Sequence, residues 1–235
     1  MPRTPLPAEV ATEIRRSADV ATQHHKNVLV ERAESAYAAY LRGRFSDALR
    51  AIKPVAEEVP MVPAVREVAG LAAYRSGKFR DAMRHLRAYM DLTDDIEHLP
   101  VMMDCQRALR KPKKVVELWT ELRQRSPEPD VLAEGRLVAA ASLADSGELE
   151  DAIAMLTSAG AAKALRNPSD RHVRQWYLLA DLYERASDVP RAREYFERVA
   201  KVDPEAYDVA QRLAGLGGRP AKPRRRPPVK AAKQA

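Results

Sequence analysis

The chain is 235 residues long, 46% hydrophobic and 31% charged, with a formal net charge of +7 at pH 7. That length buries one sizeable core or one short solenoid, and no apolar run approaches the ~20 residues that cross a bilayer. A single cysteine, Cys105, excludes an internal disulfide framework and suits a reducing, cytoplasmic compartment, while the excess of Arg over Lys and the abundant Ala are in keeping with a GC-rich bacterial genome.

Residues 1–7 hold three prolines and nothing like the apolar stretch of a secretory signal, and read as a flexible N-terminus. From about Ala8 to His25, Val10, Ile14, Ala18 and Ala21 fall on one stripe, which predicts an amphipathic helix, placed as an N-terminal capping helix over 8–28. Five times thereafter a small residue precedes a large apolar one by a helical turn. The small residues are Ala48, Ala82, Val115, Ala152 and Ala192, at spacings of 34, 33, 37 and 40, and their companions are Ile52, Leu86, Trp119, Leu156 and Phe196. Two antiparallel helices approach closely only where one presents a side chain no bigger than Ala, so these positions predict crossing points, with Val115 straining its own.

Before each crossing comes a short polar turn: Arg42-Gly43-Arg44, Ser76-Gly77-Lys78, Arg110-Lys111-Pro112, Ser146-Gly147-Glu148 and Ser187-Asp188-Val189. Gly there accommodates the left-handed conformation that ends a helix. A period in the thirties is the mark of a helical hairpin stacked on its own copies, giving units of about 29–62, 63–95, 96–132, 133–172 and 173–204. Extra residues around Gly160–Arg171 predict a lengthened helix or loop, with Asn167-Pro168-Ser169 marking a break. Residues 205–214, with Ala206, Val209, Ala210 and Leu213 on one face, predict a C-terminal capping helix, and 215–235 a disordered basic, Pro-rich tail.

The pattern resembles the tetratricopeptide repeat (TPR) family. The last unit carries Trp176, Leu179-Ala180, Tyr183, Ala192, Phe196 and Pro204; the second Ala69-Gly70, Tyr74, Gly77, Phe79, Ala82 and Leu86; the first Tyr40, Gly43, Phe45, Ala48, Ile52 and Pro60. The fourth keeps Ala139-Ala140, Gly147, Leu149, Ala152 and Leu156 without aromatics, and the third is degenerate. The resemblance covers about 29–205, most weakly 96–127. It implies an all-α, right-handed α-solenoid of about five TPR-like helical hairpins with terminal capping helices.

It also implies a concave groove, lined by the first (A) helix of each hairpin, that accepts a peptide or a partner helix. By register its candidates are Tyr37, Tyr40, Glu67, Leu71, Tyr74, Arg75, Asp104, Arg107, Leu137, Asp145, Tyr177, Asp181, Glu184 and Arg185. The alternative for the tyrosines is that they seal neighbouring hairpins. No Lys and no Asn stands among these positions, which disfavours the clamp by which some family members hold the C-terminal carboxylate of heat-shock chaperones. Mixed signs with an acidic excess suit a basic or mixed partner helix.

The tail concentrates charge. Arg219, Lys222, Arg224, Arg225, Arg226, Lys230 and Lys233 account for the whole net charge, leaving 33 basic and 33 acidic residues before them. With its glycines and prolines the segment has nothing to bury and no helix to continue. Three readings stay open: a solvated extension; weak, non-specific attachment to nucleic acid, with Kd on the order of 10⁻⁴ to 10⁻⁶ M; and marginal attraction to anionic lipid without membrane insertion. No aromatic is present to stack on bases. The acidic positions Asp104, Asp145, Asp181 and Glu184 are a site the tail itself could occupy.

Signals of catalysis are missing. There is no Gly-rich phosphate loop, His-Glu-x-x-His or Cys-x-x-Cys. His24 and His25 point about 100° apart on a helix, while His85, His98 and His172 are isolated and read as surface or packing residues. Cys105 reads as a small buried hydrophobe, and Asp94-Asp95 lack further spaced carboxylates. No catalytic residue, cofactor or metal site is expected. The expectation is a non-enzymatic cytoplasmic adaptor or scaffold that binds an unidentified protein partner. The alternatives are an RNA- or DNA-associated accessory protein attached through the tail, and a structural subunit of a larger assembly. The oligomeric state is left open, since an incompletely capped end can stack on another copy.

Overall fold

A computed structural model of the chain describes residues 6–18, 21–161, 165 and 167–217. All regular structure among them is helical: α1 (Ala8–Ser17), α2 (Gln23–Leu41), α3 (Phe45–Glu58), α4 (Pro63–Arg75), α5 (Phe79–Thr93), α6 (Leu99–Ala108), α7 (Pro112–Gln124), α8 (Pro129–Asp145), α9 (Leu149–Leu156), α10 (Asp170–Arg185), α11 (Val189–Val202) and α12 (Val209–Gly215). Consecutive helices pair as hairpins, α2 with α3, α4 with α5, α6 with α7 and α10 with α11. This is the TPR-like α-solenoid class that the spacing predicts. The chain divides into two compact units, Met1–Ser142 and Leu143–Ala235, with the division inside α8.

The hairpins are closed by main-chain geometry. At each of the five turns among the described residues one residue adopts a left-handed conformation: Gly43 (φ 72), Gly77 (φ 71), Arg110 (φ 57), Gly147 (φ 90) and Ser187 (φ 61). Its N–H and that of the next residue return to carbonyls of the outgoing helix. Gly43 donates to Tyr40 and Arg44 to Ala39, both at 2.9 Å, and Ser187 to Glu184 and Asp188 to Tyr183, at 2.9 and 2.8 Å. Arg110 and Lys111 make the same pair of bonds to Arg107 and Gln106 at 2.9 Å, so the third turn keeps its geometry without Gly at a cost of about 1–2 kcal/mol. Proline follows at the start of α7 and α11, where its missing N–H is no loss.

Between the paired helices the predicted crossing residues are buried: Ala48, Ala82, Ala152 and Ala192 are 0% exposed and Val115 is 1%. The helix opposite is trimmed as well. A Cβ on Gly70 of α4 would stand 2.7 Å from Leu86 Cγ and 3.2 Å from the Leu86 backbone nitrogen; between successive hairpins, one on Gly135 of α8 would stand 2.3 Å from Leu122 Cδ2 of α7. In the first unit the turn ends of successive hairpins also meet, Ala73, Ala82 and Cys105 packing with Leu49, Tyr74, Phe79 and Met83.

Three boundaries differ from expectation. The single helix expected from Ala8 to His25 is two, because the chain leaves α1 after Ser17 and restarts at Gln23, where the Thr22 side chain accepts from the His25 N–H at 3.3 Å. Ile14 and Ala18 are buried as the stripe predicts. The C-terminal cap is shorter than 205–214, starting at Val209 and burying Val209 and Leu213 while Ala210 stays exposed. The lengthening near Gly160 is a π-helical segment, Thr157–Ala161, in which Gly160 has φ 87. α10 then begins beyond Asn167-Pro168, its Ser169 N–H donating to His172 Nδ1 at 3.0 Å.

Two stability measurements follow from these features. The Cβ in Gly77→Ala meets nothing within 4 Å, so its cost is that of a side chain at φ 71. Urea unfolding is expected to show a loss of about 1 kcal/mol, whereas Arg110→Gly leaves stability level or raises it. His85 is 4% exposed, with Arg66 Nη1 3.2 Å from Nδ1 and Arg84 Nη2 3.3 Å from Nε2. Burial, then the charges of Arg84 and Arg66, push its pKa down to about 4. Between pH 6.5 and 4 the unfolded chain therefore binds the proton that the folded one refuses, and stability is expected to fall with pH by ~1 kcal/mol per unit. In His85→Gln that part of the pH dependence disappears.

Candidate functional site

The A helices of the first unit run side by side in parallel. Glu67, early in α4, accepts from His98 Nε2 at the start of α6 at 2.9 Å, and Tyr74, late in α4, donates its hydroxyl to Asp104 Oδ2 of α6 at 2.7 Å. Asp104 also accepts from Arg107 Nε at 2.9 Å. Burial, followed by the bond to Asp104, raises the Tyr74 hydroxyl well above the usual phenol range. Tyr40 packs edge-on against Phe45 with ring centroids 5.4 Å apart, and the Arg75 guanidinium lies over the Phe45 ring, 4.4 Å from its centroid. Tyr37 packs against the core of the first hairpins. Leu71 and Leu137 are half-buried. Several predicted groove residues thus form a seam between neighbouring A helices.

The seam frames an open depression of about 370 Å³ on α4, α6 and α8. Half-buried Val101, Val131 and Val138 give it an apolar floor, and Glu97, Asp104, Asp130 and Glu134 stand around them with Tyr74 and His98. Of the fourteen groove residues expected from sequence, Tyr74 and Asp104 line it. The valines escaped notice because an apolar residue on an A helix has the same signature whether it faces the next hairpin or open space. Of the carboxylates around them only Asp104 was legible in the sequence; Glu97, Asp130 and Glu134 lie off the register of the expected groove positions.

The second unit repeats the seam with its cap. Arg212 of α12 donates through Nη2 to Asp181 Oδ1 at 2.7 Å and to Glu184 Oε2 at 2.6 Å, with Nε 2.9 Å from the same Glu184 oxygen. Its guanidinium also lies 5.0 Å over the Phe196 ring. Burial alone would lower the Arg212 pKa, and the bonds to Asp181 and Glu184 reverse that and raise it. Tyr177 donates to Asp208 and packs on Phe196 and Tyr207, its hydroxyl pushed up to about 12 by burial first and by that carboxylate second. Arg185 donates to the Ala144 carbonyl at 2.6 Å, 3.9 Å from Asp145. Asp104, Asp145, Asp181 and Glu184, proposed from sequence as a dock for the tail, each have a cation of the folded chain against them. The tail residues Arg219, Lys222, Arg224, Arg225, Arg226, Lys230 and Lys233 lie outside the described residues.

Four of the five histidines have structural partners: His25 with Glu58 at 2.6 Å, His98 with Glu67, His172 with Ser169, and His85 buried between two arginines, while His24 is exposed. Cys105 is fully buried, which pushes its thiol up to about 12. Among the described residues no group of three or more His, Cys, Asp and Glu side chains is placed to hold a metal, and no helix is long and apolar enough to cross a membrane.

Residues 30–95 and 173–216 match family models of the tetratricopeptide repeat. The crystal structure of TTC0263, a thermophilic TPR protein of Thermus thermophilus, matches the fold with a TM-score of 0.62, at 17% identity and over 79% of this chain and 97% of that one. No curated protein matches in sequence. The chain thus carries TPR repeats over those two segments on a TPR-like fold; such repeats generally mediate protein–protein interaction, and TPR proteins are typically non-enzymatic scaffolds.

The cap clamp makes a direct prediction. Arg212→Gln removes charged hydrogen bonds to two carboxylates and is expected to destabilise α10–α12 by about 2 kcal/mol. Amide exchange should then speed up in those helices, with the α4 and α5 amides unchanged.

Proposed function

We propose that the chain is a non-enzymatic adaptor, and that the depression on α4, α6 and α8 holds a segment of its partner protein. The observation that carries this reading is the pairing of a valine floor with a rim of four carboxylates. An amphipathic helix or extended peptide with apolar side chains on one face and Lys or Arg beside them fits both parts. The valines supply apolar area and the carboxylates select by charge, favouring encounter and register more than raw affinity. Partner recognition through helix-face grooves generally works by such spaced anchors.

The whole net charge of the chain resides in residues 219–235, which supports a second reading, attachment of an accessory protein to nucleic acid through that segment.

A double substitution on the floor, Val131→Lys with Val138→Lys, places cations where the partner's apolar face would sit. Both positions are half-buried on one face of α8, so the fold should survive. With the full chain as bait, a protein retained by the wild type is expected to bind the variant at least tenfold more weakly, and binding by isothermal titration should weaken with salt. Equal retention by both baits would overturn the assignment of the groove.

A further inference from the structure

The first unit is charge-segregated in a way that the neutral sum of residues 1–218 conceals. The A helices run parallel, as the Glu67–His98 and Tyr74–Asp104 bonds require, so the turns α2–α3, α4–α5 and α6–α7 come out at one edge. The clustering of Ala73, Ala82 and Cys105 with Leu49 and Phe79 places those turn ends against one another. Exposed on these turns and on the first helical turn after them are Arg42, Lys78, Arg80, Arg110, Lys111 and Lys113. None of the six takes part in an ion pair or side-chain hydrogen bond among the described residues. Arg44 and Lys114 at the same edge do have acidic neighbours, Asp47 at 3.9 Å and Glu117 at 2.7 Å.

The opposite edge, made of the loops between hairpins, is acidic, and part of that charge is paired within the fold. Glu58 is bonded to His25, Asp94 to Arg125, and Asp95 accepts from the Tyr89 hydroxyl at 3.1 Å. The two edges therefore differ in sign, and the basic one presents six cations that the described residues leave without anions.

We infer that this basic edge is a contact surface for the phosphodiester backbone of a nucleic acid, separate from the groove on α4, α6 and α8. The cations recur with each hairpin, as the regularly spaced charges of a polyanion require. The flanking aromatics, Tyr40, Phe45, Tyr74 and Phe79, are half-buried beneath the turns, and Arg75 is held over Phe45, so bases find no stacking platform. The contact is therefore one of backbone charge, indifferent to sequence. A protein ligand would need an apolar anchor, and among the described residues the edge offers two separate large exposed apolar side chains, Leu41 beside Arg42 and Val116 one helical turn after Lys113.

The test uses the full chain, a mixed-sequence DNA duplex of about 20 base pairs and a single-stranded RNA of about 20 nucleotides, with affinities measured from about 50 to 200 mM salt. Each neutralised phosphate contributes about −0.9 to the slope of log K against log salt for duplex DNA and about −0.7 for a single strand. Replacing Arg42, Lys78, Arg80, Lys111 and Lys113 by Gln is expected to flatten the duplex slope by about 3–5 and to weaken binding at least tenfold. Replacing Arg224, Arg225, Arg226 and Lys230 by Gln should leave the contribution of the edge in place. If the five-site variant melts early, Lys111→Gln with Lys113→Gln carries the test, with a slope change of about 2. No binding at the lowest salt, an edge variant with the wild-type slope, or displacement of the probes by poly-glutamate at equal charge concentration would each overturn the proposal. Duplex or single strand, whichever binds tighter, identifies the form of backbone the edge accepts.

Discussion

The close approach of the two helices in each hairpin is the constraint on which the rest of the structure depends. It is built from absence of bulk on both sides, alanine on the second helix at positions such as Ala82 and glycine on the first at Gly70, whose missing Cβ makes room for Leu86. Interiors are packed to the density of organic crystals, so one added methyl at such a crossing moves one helix against the other. Because every hairpin rests on its neighbour, that displacement is passed along the stack within its unit.

Parallel A helices result from this packing, and with them the polar seams. Glu67–His98 and Tyr74–Asp104 in the first unit, and Asp181 and Glu184 with Arg212 in the second, are contacts between residues about 30 positions apart. They satisfy half-buried polar groups that the packing leaves at the edge of the core, where an unpaired group is expensive. α12 supplies Arg212, and its N-cap Asp208, where a further A helix would supply its own residues, and this is how a helix of only seven residues closes the second unit.

The hairpins were legible in the sequence because Ala and Gly recur for steric reasons that do not depend on context. The third turn shows the limit of that signal: Arg110 adopts the conformation for which Gly is the usual marker, and only the register of the neighbouring repeats reveals it. Helix ends were less readable at the N-terminus, where the apolar stripe from Val10 to Ala21 runs past the end of α1 at Ser17 and the Thr22 hydroxyl caps the start of α2. The groove was the least readable part. Register on a helix says which residues face the neighbouring repeat, but Tyr177, Asp181 and Glu184 become seam residues only because Asp208 and Arg212 arrive from elsewhere in the chain. Val101, Val131 and Val138 become the apolar lining of a depression because no other described element covers them.

The five hairpin turns are closed chiefly by backbone amides and carbonyls, with Asp188 adding a side-chain bond from the Arg191 N–H at 3.1 Å. Arginine and lysine decorate the first three, Glu148 and Asp188 the last two, on one and the same geometry. Such an edge is a blank margin: mutation can rewrite its charge one residue at a time while the architecture stays still, and a lineage can acquire or shed a polyanion-binding face without first surviving a loss of stability.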